Sequence, residues 1–170
     1  FFDPYTLTRN TEFTEVDEVD YYYTDRIGEE AVRQIEGFAK TDKPFFQYVA
    51  FTAAHWPIHA PEESIQKYIQ MYEDGWEKLR ADRYERMLKM GIIDKDRWPL
   101  PPREGNVKPW DTIEHKPWRI RNMAVYAAMV DHMDQAVGNI VNALKSTKQI
   151  ENTLIIYFHD NGACPEHLGG

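Results

Sequence analysis

Apolar residues along the chain fall into two kinds of pattern, one helical and one nearly continuous. From 24 to 39 they recur at helical spacing, with Ile27, Ala31, Ile35 and Phe38 on one face. Thr24 or Asp25 stands where a helix start needs a cap, and Glu29 and Glu30 lie toward its positive end. Lys43-Pro44 then breaks the chain. Phe45 to Ala54 is almost continuously apolar, interrupted only by Gln47 and Thr52, which predicts a strand buried on both faces. Pro44 suits the start of such a strand, where no ladder donor is needed. Helices are expected over 62–73, after Pro61, and over 75–91, ending near Gly91. The strongest helical signal runs from 118 to 147, with Ile120, Met123, Ala127, Val130, Val137, Val141 and Leu144 in one stripe. Leu154 to Phe158 predicts a second buried strand, running straight into His159-Asp160-Asn161-Gly162.

The remainder is less regular. Residues 1–20 read as an extended, polar, acidic segment. The stretch 94–117 carries Pro99, Pro101, Pro102 and Pro109, with Pro117 at its end. Trp98, Trp110 and Trp118 are expected to bury, which makes this stretch an ordered excursion rather than a flexible linker. Strand, helices, strand is the order of an α/β fold with a parallel sheet. In such sheets ligands gather beyond the carboxyl ends of the strands.

Composition narrows the function classes. With 170 residues, 42% of them hydrophobic and 14% aromatic, the chain can form one globular domain. Its 20 Lys and Arg stand against 28 Asp and Glu, a formal charge of -8. That balance argues against nucleic acid as a partner, which calls for a basic surface. It leaves room for a small anionic substrate, since a local site can be cationic in an acidic protein. The one cysteine, Cys164, has no second thiol to pair with and no base beside it in sequence, so it is expected to be inert. No apolar run approaches a membrane span. The chain opens at Phe1-Phe2-Asp3-Pro4 without an initiator Met and stops at Gly169-Gly170, so the expectation is that both ends are cut.

Two polar groups stand where the strand-end rule points. His55-Trp56-Pro57-Ile58-His59-Ala60-Pro61 follows the first expected strand and Asp160-Asn161-Gly162 follows the second. Parallel strands side by side would bring both to one rim. Asp160 and Asn161 offer a carboxylate and an amide oxygen, hard donors that suit calcium or magnesium. The same tripeptide is also a common turn sequence, with Gly162 freeing the backbone to bend. His55 could donate a proton or hold an anion near neutral pH, or simply be a hydrogen-bonded loop residue. The loop reading weighs more heavily for His59, and Trp56 reads as core or pocket wall. Asp134 falls in the apolar stripe between Val130 and Val137, and is expected to be a buried structural carboxylate with partners.

The blocks FFDPYTLTRN (1–10), YYTDRIGEEAV (22–32), KPFFQYVAFTAAHWPIHAPEE (43–63), GWEKLRADRYERM (75–87), YAAMVDHMDQAVGNIV (126–141) and TLIIYFHDNGACPE (153–166) resemble the type I, formylglycine-dependent sulfatases, in order and approximate spacing. The arylsulfatase-like bacterial branch is the nearest in appearance. The resemblance implies an alkaline-phosphatase-like α/β sandwich with a mostly parallel central sheet. Residues 1–170 would be the central part of one catalytic domain, with the nucleophile region before it and a C-terminal part after it. It implies hydrolysis of a sulfate monoester, on a small molecule or a carbohydrate, with one divalent cation, calcium before magnesium. A periplasmic or secreted location goes with it, and it says nothing of oligomeric state.

By similarity, Asp160 and Asn161 match the late pair of metal ligands. His55 matches the histidine that contacts sulfate and assists the departing alcohol. The Cys/Ser-x-Pro-x-Arg motif that becomes formylglycine is absent, since Cys164 is followed by Pro165-Glu166-His167. The early Asp pair, with the Lys and His near the nucleophile, would precede Phe1, and a late lysine would follow Gly170. The chain alone is therefore expected to be inactive. His59 stands where a glutamine is frequent, and His159 where a smaller or neutral residue is common. The alternatives are a phosphodiesterase or phosphonate hydrolase of the same superfamily, and a non-catalytic binding module that keeps the fold. Related two-metal phosphatases tend to place a His after the corresponding Asp to suit zinc, and Asn161 stands there instead.

Overall fold

The computed structural model describes residues 7–16, 19–103, 105 and 107–162. Cys164 lies outside them, as do the first six residues. Four α-helices dominate: α1 (Tyr23–Phe38), α2 (Glu62–Ile69), α3 (Gly75–Lys89) and α4 (Lys116–Ser146). Short 3-10 turns at Gln70–Tyr72, Trp110–Thr112 and Ile150–Asn152 extend or join them. The sole sheet among the described residues is an antiparallel hairpin of β1 (Thr8–Arg9) and β2 (Glu12–Phe13). Its turn passes through Asn10 at φ 57°, a left-handed conformation that asparagine tolerates.

The long helix α4 is the spine. Its N-terminal half packs on α2, where Ala124, Val125, Ala128 and Met129 bury Ile65. Its C-terminal half packs on α1, where Ala143 and Leu144 bury Ile35. Ile35 is 1% exposed, and a fully buried isoleucine contributes roughly 1.5–3 kcal/mol. The two helices approach closely because small residues meet there. A Cβ built on Gly28 would lie 2.6 Å from the Ala136 Cβ. Both atoms sit on helix backbone and cannot rotate apart. Gly28→Ala should therefore lower stability by about 1–3 kcal/mol through overpacking. The helix-propensity gain of alanine, about 0.5–1 kcal/mol, offsets only part of that. Denaturant unfolding of the parent and variant chains reads the difference. A variant midpoint at or above the parent's would show that α1 and α4 separate at no cost.

The buried face of α4 differs from the expected stripe. Of that stripe, Leu144 is buried, whereas Val130 is 37% exposed and Met123, Ala127, Val137 and Val141 are half-buried. The alanines won because they permit helix–helix contact at short range. Asp134 accordingly lies exposed, not buried. Asp131 is the carboxylate of this helix that ties elements together, at 2.6 Å from Lys67 Nζ on α2, which holds its pKa below the ordinary value. Arg121 of α4 grips Glu62 of α2 with both terminal nitrogens, at 3.0 and 2.7 Å, and holds its carboxyl down to about 2.

Two expected strands are not formed among the described residues: neither 45–54 nor 154–158 joins a ladder. Residues 45–51 alternate between half-buried and exposed, with Phe46 and Tyr48 outward and Phe45 packed beside Ile35. Leu154 to Phe158 is exposed along its whole length. A strand inside a sheet needs a neighbour on each edge, and the described residues supply none. The expectation for the excursion is corrected. Trp110 buries, edge-on to Trp76 at 4.9 Å between centroids, but Trp98 and Trp118 remain exposed. Trp110 lies over Gly75, whose φ of 83° and missing Cβ make room for the indole. Trp118 instead carries the Arg119 guanidinium over its ring at 4.9 Å. Neither Thr24 nor Asp25 caps α1 from outside. Both lie within its first turn, Thr24 buried and Asp25 at the positive end of the dipole.

Candidate functional site

His55 stands on the connection between the extended segment 45–51 and α2. Ala53, Ala54, Ile58 and Ala60 pack against the α2–α4 core on either side of it. His55 and Trp56 project into solvent between these anchors. The His55 backbone N–H donates to the Thr52 carbonyl at 2.8 Å, which closes a turn at the end of the extended run. Its ring Nδ1 lies 2.5 Å from the Trp56 carbonyl. A carbonyl only accepts, so Nδ1 carries hydrogen and Nε2 becomes the ring atom suited to proton exchange with a bound group. The Trp56–Pro57 peptide is cis, as is Ala53–Ala54.

His59, four residues on, is half-buried and differently held. Its carbonyl accepts the Tyr22 hydroxyl at 3.2 Å, and its ring meets the Tyr22 ring edge-on at 5.6 Å. Its Nδ1 lies 3.4 Å from the Pro57 carbonyl. These contacts favour the structural reading of this histidine.

Tyr22 leads into a group that the sequence did not disclose. Its ring meets the His132 ring at 4.9 Å. His132 Nδ1 lies 2.7 Å from Asp25 Oδ1, and His132 Nε2 lies 2.8 Å from Ser64 Oγ. Burial pushes the Tyr22 phenol above its ordinary pKa, with the Asp25 carboxylate acting in the same direction. Asp25, Ser64 and His132 come from α1, α2 and α4, so the histidine joins three helices. In the sequence Asp25 reads as a cap and Ser64 as an ordinary helix residue. No spacing rule joins residues 107 apart.

Asp160 and Asn161 are exposed, beyond the apolar run 154–158. The Asn161 Nδ2 donates to the Gly162 carbonyl at 2.6 Å, which leaves Oδ1 as its atom with ligand chemistry. Before them, the Tyr157 hydroxyl and His159 Nε2 stand 2.8 Å apart. Among the described residues no group of three or more His, Cys, Asp or Glu is placed to hold a metal ion. The donor set fits a share of a calcium or magnesium shell: two adjacent hard oxygens on an exposed turn. No ladder joins the segments that carry His55 and Asp160, so the pairing expected to gather them on one rim is not formed among the described residues.

Comparison with known proteins adds what the geometry leaves open. The family model described as Sulfatase matches residues 1–169. The chain is 36% identical over 146 residues to an uncharacterized sulfatase of Schizosaccharomyces pombe, covering 85% of this chain and 26% of that protein. It is 35% identical over 148 residues to an arylsulfatase of Klebsiella aerogenes, covering 86% of this chain and 31% of that protein. It is 25% identical over 143 residues to arylsulfatase J of Mus musculus, covering 84% of this chain and 16% of that protein. The chain thus spans about a third or less of the length of these curated relatives.

Proposed function

Because the chain belongs to the sulfatase family, we propose that the complete protein hydrolyses a sulfate monoester and that this chain supplies part of the active site. The observation that carries the reading is the family match over residues 1–169, with an arylsulfatase among the relatives. The family implies an alkaline-phosphatase-like α/β fold. In the complete protein, further strands pair with 45–54 and 154–158 and make the central sheet mostly parallel. The exposed faces of Phe46, Tyr48, Leu154, Ile156 and Phe158 support this, since so much apolar surface calls for cover.

Within that frame the residues of this chain divide the work. His55 contacts the sulfate group and, with both ring nitrogens protonated, its Nε2 gives a proton to the departing oxygen as the ester bond breaks, leaving the neutral ring with its hydrogen on Nδ1. Its exposed place on an anchored loop supports that role, because a substrate must reach it. Asp160 and Asn161 contribute two oxygens to a divalent cation, calcium before magnesium. When bound, the cation offers positive charge to the sulfate oxygens, and formylglycine from outside this chain offers the nucleophile. The location proposed with this chemistry is periplasmic or secreted.

The test is substrate profiling of the complete protein with matched 4-nitrophenyl esters. Sulfate monoester turnover should exceed that of the phosphodiester and the phosphonate by about tenfold or more in kcat/KM. A phosphorus ester turned over faster than the sulfate would overturn the reading.

A further inference from the structure

We propose that His132, through its contacts with Asp25, Ser64 and Tyr22, is the positioning residue that fixes the loop carrying His55. The inference rests on the proposed role of His55 for its catalytic consequence, but not for its structural one.

The geometry is specific in its directions. The Asp25 carboxylate can only accept when ionised, so His132 Nδ1 is the donor across their 2.7 Å contact. In the neutral ring, Nε2 then accepts the Ser64 hydroxyl across 2.8 Å. The tautomer and the ring orientation are thus set from both ends. Ser64 lies in the first turn of α2, directly after the loop 52–61. It holds the loop's outgoing end to α4. Tyr22 acts on the loop's interior. Its ring rests edge-on against His132, and its hydroxyl donates to the His59 carbonyl at 3.2 Å. Besides the apolar anchors Ala53, Ala54, Ile58 and Ala60, the loop therefore has two polar holds, and both meet at one imidazole. His132 is only 14% exposed in its side chain, so water competes poorly for these bonds.

Ser64, His132 and Asp25 also have the contact order of a hydrolytic triad. The cavity beside them, about 210 Å³, is lined by Asp25, Gly28, His132 and Ala136 but not by Ser64. It therefore adjoins the imidazole on the Asp25 side, away from the hydroxyl a substrate would need. The arrangement favours a bracket over a nucleophile.

The experiment uses the complete protein and reads amide hydrogen exchange beside kinetics. His132→Ala should speed exchange at residues 52–61 by about tenfold or more, while amides of α4 around Ala143 stay protected. It should lower kcat for a sulfate ester with a poor leaving group by about tenfold, with KM within about threefold. His132→Asn, whose amide can donate where Nδ1 does, should recover most of both losses. Tyr22→Phe, which removes one hydroxyl and keeps the ring, should loosen the loop without loss of fold, and it carries the test if His132→Ala does not fold.

Unchanged loop exchange in His132→Ala and Tyr22→Phe would overturn the inference whatever His55 does. So would a uniform rise across α1 and α4, which would reduce the network to a staple between helices. Covalent labelling of Ser64 by a fluorophosphonate would overturn it too, by making the hydroxyl a nucleophile. If the loop loosens as expected but His55→Ala leaves turnover intact, the catalytic role of His55 has failed and the positioning role stands.

Discussion

In the complete protein, His55→Ala should lower sulfate ester turnover by about 10² to 10⁴, the range for losing a positioned general acid. The loss should depend on the leaving group. An alcohol of high pKa departs badly as an anion and needs the proton early. An activated phenol departs nearly unaided. The variant should thus be hurt more on an alkyl or sugar sulfate than on a nitrophenyl sulfate, and the ratio of the two losses measures proton transfer itself. A role confined to holding the sulfate group would lower both substrates equally. Because His55 is exposed and its neighbours Ala53, Ala54 and Ile58 hold the loop, the alanine variant should fold normally. A loss below about threefold on both substrates would return His55 to the status of a loop histidine.

The helices of this chain were legible because each carries its own periodicity and much of its own hydrogen bonding. The expected ranges of 24–39, 62–73, 75–91 and 118–147 each fall on a helix, with the second closing as a 3-10 turn and the third ending two residues early. What the pattern could not say is which face each helix would bury. The larger apolar residues of α4 suggested one face, but Ala124, Ala128 and Ala136 chose another. Gly28 and Ile65 opposite them could approach only a narrow surface. Asp134, expected to be buried, lies exposed for the same reason, and Asp131 makes the tie to α2 instead.

The strands illustrate a different limit. An apolar run such as 154–158 reports that its side chains want cover, but not what supplies it. A helix closes its hydrogen bonds within itself, whereas a strand closes them only with a neighbour. The tryptophans show the same dependence. Trp110 found Trp76 and Gly75, while Trp98 and Trp118 met nothing among the described residues that buries them. Of the candidate site, His55, Asp160 and Asn161 were legible as residue types at the ends of apolar runs. The Asp25–His132–Ser64 junction was not, since it depends on three helices meeting.

In the complete protein, Asp160→Ala should abolish bound divalent metal and activity together, whereas Asn161→Ala should weaken both. A carboxylate contributes full charge to a dication and an amide oxygen only a dipole, so the two substitutions differ in size. The position supports ligation over a mere turn. Asp160 is exposed, with only His159 between it and the apolar run 154–158 that calls for cover. In the sheet proposed above, strands packing on that run would bring the carboxylate to a sheet edge and strip it of water. A carboxylate losing water needs a cation or several donors, or it is costly. Asn161 turns its Nδ2 onto the Gly162 carbonyl, which leaves its oxygen for the same cation. This chain alone should bind calcium weakly, because two oxygens fall well short of the roughly six to eight that calcium takes. The Asp160→Ala protein must first be shown to fold, by its circular dichroism and unfolding midpoint, because removing a carboxylate can also relieve strain. Elemental analysis of the folded variant then decides the matter. Retention of one full equivalent of divalent metal would remove Asp160 from the ligand shell and leave the tripeptide as a turn.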